Sequence, residues 1–240
     1  MRLELSDPIW TRLYGPYGVR DVPGQLGRLA ARWDVAEAQH LFWEELHHQE
    51  DLYPVSYAAL PWLVEIAPES EPVLEFYAQV LFCAQRQRRA AAPFRGLSMN
   101  APDHAHPWLP TGLRLRPEDM AVLRTLADWL EGAGDGLAAL CLDHVPAERP
   151  FVAVQLAGGY AGWHGARDLP HAMQMWADGA GLAAIRAEGA PEAADHRLAG
   201  DIATALADRQ PALAAFLRDY VAEGRPTPDL LVCQKYPGGN

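Results

Sequence analysis

The residues best equipped for chemistry lie together in "LHHQEDLY", residues 46 to 53. His47, His48, Glu50, Asp51 and Tyr53 place two imidazoles, two carboxylates and a phenol in one short run. Such a set could hold a divalent metal or relay a proton. On a regular helix, however, neighbouring residues point about 100° apart, so His47 and His48 cannot both face one ion. Helical zinc sites need His at i and i+4, as in H-E-x-x-H, and no His pair in this chain has that spacing. His40, Glu44 and His48 come nearest, but about 12 Å of helix rise separates the outer two. The spacing therefore predicts a helix end, with one imidazole against the last carbonyls and the other packed under Tyr53.

Other constellations are weaker. "DHAHPW" offers Asp103, His104 and His106 in a loop, where His-x-His can present both rings to one metal, yet no third and fourth ligand follow at fixed spacing. "LAGGYAGWHGARD" has glycines but no G-x-G-x-x-G and no P-loop lysine, so phosphate cradling is not expected. Its Trp163 and His164 are candidate protein contacts if exposed. No G-x-S-x-G occurs, and Cys83, Cys141 and Cys233 lie far apart without a C-x-x-C pair. No catalytic residue, metal ligand set or cofactor is expected.

The chain has 240 residues, half of them hydrophobic, and a formal charge of −11. An acidic surface repels nucleic acid and anionic membrane and attracts basic partners. "RQRR", Arg86 to Arg89, is a local basic exception that reads as a solvated helix C-terminus. The amino-terminal residues carry no signal-like apolar run and no window reaches membrane-span length, which gives a soluble, cytoplasmic expectation.

Helical periodicity must supply the frame. Asp34 and Glu37 form a D-x-x-E cap before a face marked by Val35, Ala38, Phe42 and Leu46. Val73, Tyr77, Val80, Leu81 and Ala84 mark a second helix. A third starts at Pro117 and is expected to stop at Gly132 and Gly134. Two more meet near Gln210-Pro211. "FVAVQLA", 151 to 157, fits a strand or a buried helix equally, and "LLVCQKY" near the carboxyl end is equally ambiguous. Residues 91 to 116 and 157 to 170 read as irregular, being rich in Pro or Gly. Pro23 and Pro61, 38 residues apart, each head an apolar helix in this reading, a period of the kind seen in helical solenoids.

The segment Trp10 to Ala67 resembles a family of HEAT-like bacterial proteins. The matching features are Trp10 with Leu13, the Asp-Val-Pro-x-x-Leu run Asp21 to Leu26, His47 to Gln49 with Tyr53, and the Ala-x-Pro-x-Leu run Ala59 to Leu63. Glu50 and Asp51 depart from that pattern, which usually has small residues there. Some members look like immunity proteins or accessory proteins encoded beside polymorphic toxins. The resemblance implies a protein-binding scaffold rather than a catalyst.

The expected fold is all-α: a HEAT-like, α-solenoid-like array with long irregular loops. Residues 1–90 would form the repeat-like lobe, 91–116 a Pro/Gly-rich connection, and 117–240 a second helical lobe, continuous with the first or separate. The expected function is a non-enzymatic acidic scaffold that binds another protein, such as a basic toxin domain whose active site it covers. His47, His48, Glu50, Asp51, Tyr53, Trp163 and His164 are the candidate partner contacts. The rivals are a metal-dependent enzyme using the His-rich loop, and a general adaptor.

Overall fold

Apolar residues spaced three and four apart, restarted by proline and aspartate caps, make most of this chain helical. The computed structural model describes residues 2–48, 51–89, 115–188 and 193–222. They fall into two compact units, Met1–His144 and Val145–Asn240. None of the helices among the described residues is long and apolar enough to cross a membrane.

The first unit opens with a 3₁₀ turn, Pro8–Thr11, capped by Asp7, whose carboxylate accepts from the Ile9 N–H. Helix α1 (Val22–Ala31) begins where Asp21 accepts from the Gly24 N–H at 3.1 Å, with Pro23 in the first turn. Helix α2 (Val35–His40) starts on the expected Asp34 cap, 2.9 Å from the Glu37 N–H. Val35 itself is exposed, while Ala38, Phe42 and Leu46 are buried as their spacing requires. Helix α2 then widens into a π-helical segment, Leu41–Leu46. A minimal antiparallel hairpin follows, β1 (His47–His48) paired with β2 (Asp51–Leu52). Helices α3 (Pro54–Ile66), α4 (Glu71–Arg89) and α5 (Pro117–Asp143) complete the unit. Helix α5 packs on both α3 and α4, so it groups with the first unit, and the division falls after it rather than within residues 91–116.

Two helix boundaries differ from their sequence reading. Pro61 lies inside α3, whose first residue is Pro54. There the Tyr53 N–H donates to the Ser56 hydroxyl oxygen at 3.0 Å and closes the first turn. Pro23 and Pro61 are therefore not equivalent: one starts a helix, the other sits in mid-helix, where it removes a backbone donor. Gly132 and Gly134 likewise lie within the 27-residue α5 instead of ending it. Each helical glycine costs only about 1 kcal/mol, and the burial of Leu130, Leu137, Ala138 and Cys141 on either side returns more than Gly132, Gly134 and Gly136 together cost.

One ion pair ties the unit's start to α5. Arg12 donates to both Asp119 oxygens, at 2.8 and 2.6 Å, and the same carboxylate accepts from the Arg116 N–H at 2.8 Å. Arg12 holds the Asp119 carboxyl below its ordinary range. Asp119→Ala leaves that guanidinium unmatched and uncaps the helix. The expected loss is about 2 kcal/mol, read as a lower denaturant midpoint with an unchanged slope; an unmoved midpoint would contradict the assignment.

The second unit contains α6 (Pro150–Trp163), α7 (Leu169–Ala177), α8 (Leu182–Glu188), α9 (Ala193–Ala205) and α10 (Pro211–Ala222). "FVAVQLA" is thus helical, and α6 runs on through residues 157–163, which the glycines had suggested were irregular. Helix α6 is apolar on all sides and buried, as a central helix must be. A Cβ on Gly158 would sit 3.6 Å from Pro170 at the start of α7, an ordinary packing distance. Buried Asp195 accepts from the Arg167 and Leu169 N–H groups, joining α9 to the start of α7. The α9–α10 break at Gln210-Pro211 is where the sequence places it. "LLVCQKY" lies outside the described residues.

Candidate functional site

The helix does end at the His pair, but the pair itself is extended. The π-helical segment stops at Leu46, and His47 takes extended backbone angles, φ −140° and ψ 145°. In a strand, successive side chains point to opposite faces, so the two imidazoles part even more completely than on a helix. Tyr53 sits edge-on to Tyr14 with centroids 6.3 Å apart.

His47 points inward. Its Nε2 lies 3.2 Å from the Gln79 amide nitrogen and 3.8 Å from the Cys83 sulfur, and its ring meets Trp43 edge-on at 5.5 Å. Only 8 % of the residue is exposed. Burial pushes its pKa down to about 4, helped by neighbouring His48 and opposed by Asp51. His47 is therefore a neutral acceptor for the Gln79 amide at neutral pH. One face of α4 forms this floor. Gln79 and Cys83 lie beneath His47, and Gln87 donates to the Leu52 carbonyl at 3.3 Å, securing the second strand. These three follow each other at i+4 steps, a polar stripe along one face of an amphipathic helix.

His48 points the other way, against Tyr17, with centroids 5.6 Å apart and the phenol oxygen 3.4 Å from Nδ1. Tyr17 is carried on a tight turn closed by a Gly15–Gly18 bridge, in which Gly18 has φ 95°, a conformation that favours glycine. A Cβ on Gly15 would lie 2.2 Å from the Glu45 carbonyl oxygen, so the turn rests directly on the π-helical backbone. Ser56 strengthens the joint by donating to the Leu46 carbonyl.

The hairpin is therefore flanked by two aromatic residues that reach solvent: Tyr17, 50 % exposed, and Trp43, 37 % exposed. Asp51 is half-buried beside His48 in the register of the pair. Glu50 lies outside the described residues, as do Asp103, His104 and His106. Among the described residues, no group of three His, Cys, Asp or Glu side chains is placed to hold a metal. Trp163 is buried at the end of α6, so it is unsuited as an exposed contact. Half-buried His164 caps that helix and packs on Tyr160 at 4.5 Å.

Charge separates this region from the rest. From residue 33 to residue 85 the chain has ten carboxylates and neither lysine nor arginine. That run contains α2, the π-helical segment, the hairpin, α3 and most of α4. The absence of any basic residue was a signal available in the sequence, as was the polar stripe on α4. Tyr17 gave no such signal, since only the turn at Gly15–Gly18 brings it to His48. No protein-family model, curated protein or solved structure matches this chain.

Proposed function

We propose that the protein is a non-enzymatic acidic helical scaffold that binds a basic protein, acting as an immunity protein that covers the active site of a bacterial toxin. The observation that supports it best is the concentration of negative charge: ten acids and no lysine or arginine over residues 33–85. A one-sign field of this kind speeds encounter with an oppositely charged partner and rejects like-charged ones. A toxin that acts on nucleic acid needs a basic cleft, and an acidic scaffold would occupy that cleft in place of its substrate. The HEAT-like resemblance of residues 10–67 fits the same reading.

Catalysis finds less support at the hairpin. His47 faces an amide and a buried thiol instead of a carboxylate, and the two imidazoles are on opposite faces. The test is to express the protein without a His tag in its native host, purify it at low salt and identify what accompanies it. The expected result is a basic protein partner, released by raising the salt. Stoichiometric zinc, iron or manganese in the purified protein would count for the metal-dependent alternative instead.

A further inference from the structure

The second unit has a small cavity of its own, about 40 Å³, where α7, α8 and the end of α10 meet. That is room for about three water-sized groups. Met175 and Ile185 give it apolar walls, while Asp168, His171, Glu188 and Tyr220 bring polar groups to the same space. Asp168 and His171 come from the start of α7, Glu188 ends α8, and Tyr220 lies in the last turn of α10.

Tyr220 is the informative member. Only 2 % of it is exposed, and its ring packs on Phe216 with centroids 5.9 Å apart. Burial pushes the phenol's pKa up, Asp195 and Asp168 push it further, and Arg186 opposes them. The hydroxyl therefore stays protonated and lies near Asp168, which lines the same cavity. Among the described residues that hydroxyl has no hydrogen-bond partner. A buried phenol usually finds one, because an unmet hydroxyl out of water is destabilising. Asp168 is already engaged by other groups, whereas Glu188 and His171 have no polar partner among the described residues.

The lining carries two carboxylates and neither lysine nor arginine, which selects a cation. A divalent metal does not fit, since no three His, Cys, Asp or Glu side chains among the described residues are placed to hold one. A primary ammonium does fit. Its three N–H groups need acceptors, which phenol, carboxylate and imidazole can supply, and apolar walls suit the methylenes behind it. Its compact head also matches the volume better than a planar guanidinium. We propose that this cavity binds a primary alkylammonium group, with the Tyr220 oxygen and the Glu188 carboxylate as acceptors and Met175 and Ile185 around its first carbons. This capacity goes beyond the scaffold reading: it belongs to the second unit, whereas the acid-rich run 33–85 belongs to the first.

The test titrates the isotope-labelled full chain with n-butylamine, which is the lysine side chain cut free of its backbone, and with n-butanol as the uncharged control. Butylamine is expected to give saturable amide shifts at residues 168–175, 185–188 and 220, and butanol to bind at least about fivefold more weakly. Tyr220→Phe should weaken butylamine about five- to tenfold and Glu188→Gln about two- to fivefold. Asp201→Asn, an exposed acid on α9, should leave it unchanged. Without amine, Tyr220→Phe should be at least as stable as wild type, because it sheds only an unmet hydroxyl and keeps the packing on Phe216. A clear loss of stability would mean that the hydroxyl serves the fold, and would overturn the site. Equal binding of amine and alcohol, shifts centred elsewhere, or an affinity unmoved by both variants would overturn it too. Nα-acetyl-lysine amide then separates the sources of the ammonium. Movement of the same signals extends the site to a protein's lysine, and no movement assigns it to free amines; either result supports the cavity as an ammonium site.

Discussion

Gly15→Ala is expected to lower stability by about 3 kcal/mol, near the upper end for overpacking a rigid site. The added Cβ would fall 2.2 Å from the Glu45 carbonyl oxygen and 3.3 Å from a Val55 methyl. The first neighbour is backbone, held by the π-helical segment on one side and by the Ser56–Leu46 hydrogen bond just beyond it. It cannot swing away as a flexible side chain would. For a chain of this length, the loss corresponds to a fall in melting temperature of about 6 to 12 °C. The turn must also lift off the hairpin, which separates Tyr17 from His48. Gly200→Ala is the control: a Cβ there meets nothing within 4 Å, so helix α9 should gain slightly. A Gly15→Ala protein as stable as wild type would mean that the turn does not rest on residue 45.

Acid is expected to weaken the hairpin through His47. The imidazole is neutral in the folded chain, with its pKa lowered to about 4 by burial, whereas the unfolded chain takes up the proton near the ordinary value of 6.5. Between those values the unfolded state binds more protons than the folded one. The stability due to neutral His47 is thus complete above about pH 6.5 and falls steadily down to about pH 4. The total is about 3 kcal/mol, from roughly 1.4 kcal/mol for each pH unit. Protonation removes the imidazole lone pair that accepts from the Gln79 amide N–H. His47→Gln cannot take up a proton, so its stability should decline less between pH 6.5 and 4 than that of wild type. Parallel pH profiles for the two proteins would place the acid sensitivity elsewhere.

Much of the helical frame was legible because caps and spacing act locally. Asp34 with Glu37, Pro117 with Asp119, and the break at Gln210-Pro211 each declare themselves within a few residues. Tertiary packing governs the cases that were misread. Gly132 and Gly134 weaken a helix only slightly, and burial of α5 outweighs them. Pro61 is carried inside α3 because the surrounding turns are buried. The hairpin was hidden for a different reason. Two strands of two residues have too short a pattern to show period-two alternation, and what fixes them is non-local: Gln79 and Gln87 from α4, and the Tyr17 turn. The neighbours that His47 meets lie 32 and 36 residues away in sequence.

The two imidazoles of the run have separate structural tasks. One goes down to fasten the hairpin to α4 and the other goes up to meet Tyr17.

The most direct measurement uses the wild-type protein as bait in its native host, eluted across a salt gradient and read by mass spectrometry. A basic protein retained at low salt and released as the salt rises is the predicted result. No specifically retained protein, or retention that salt does not change, would contradict the account.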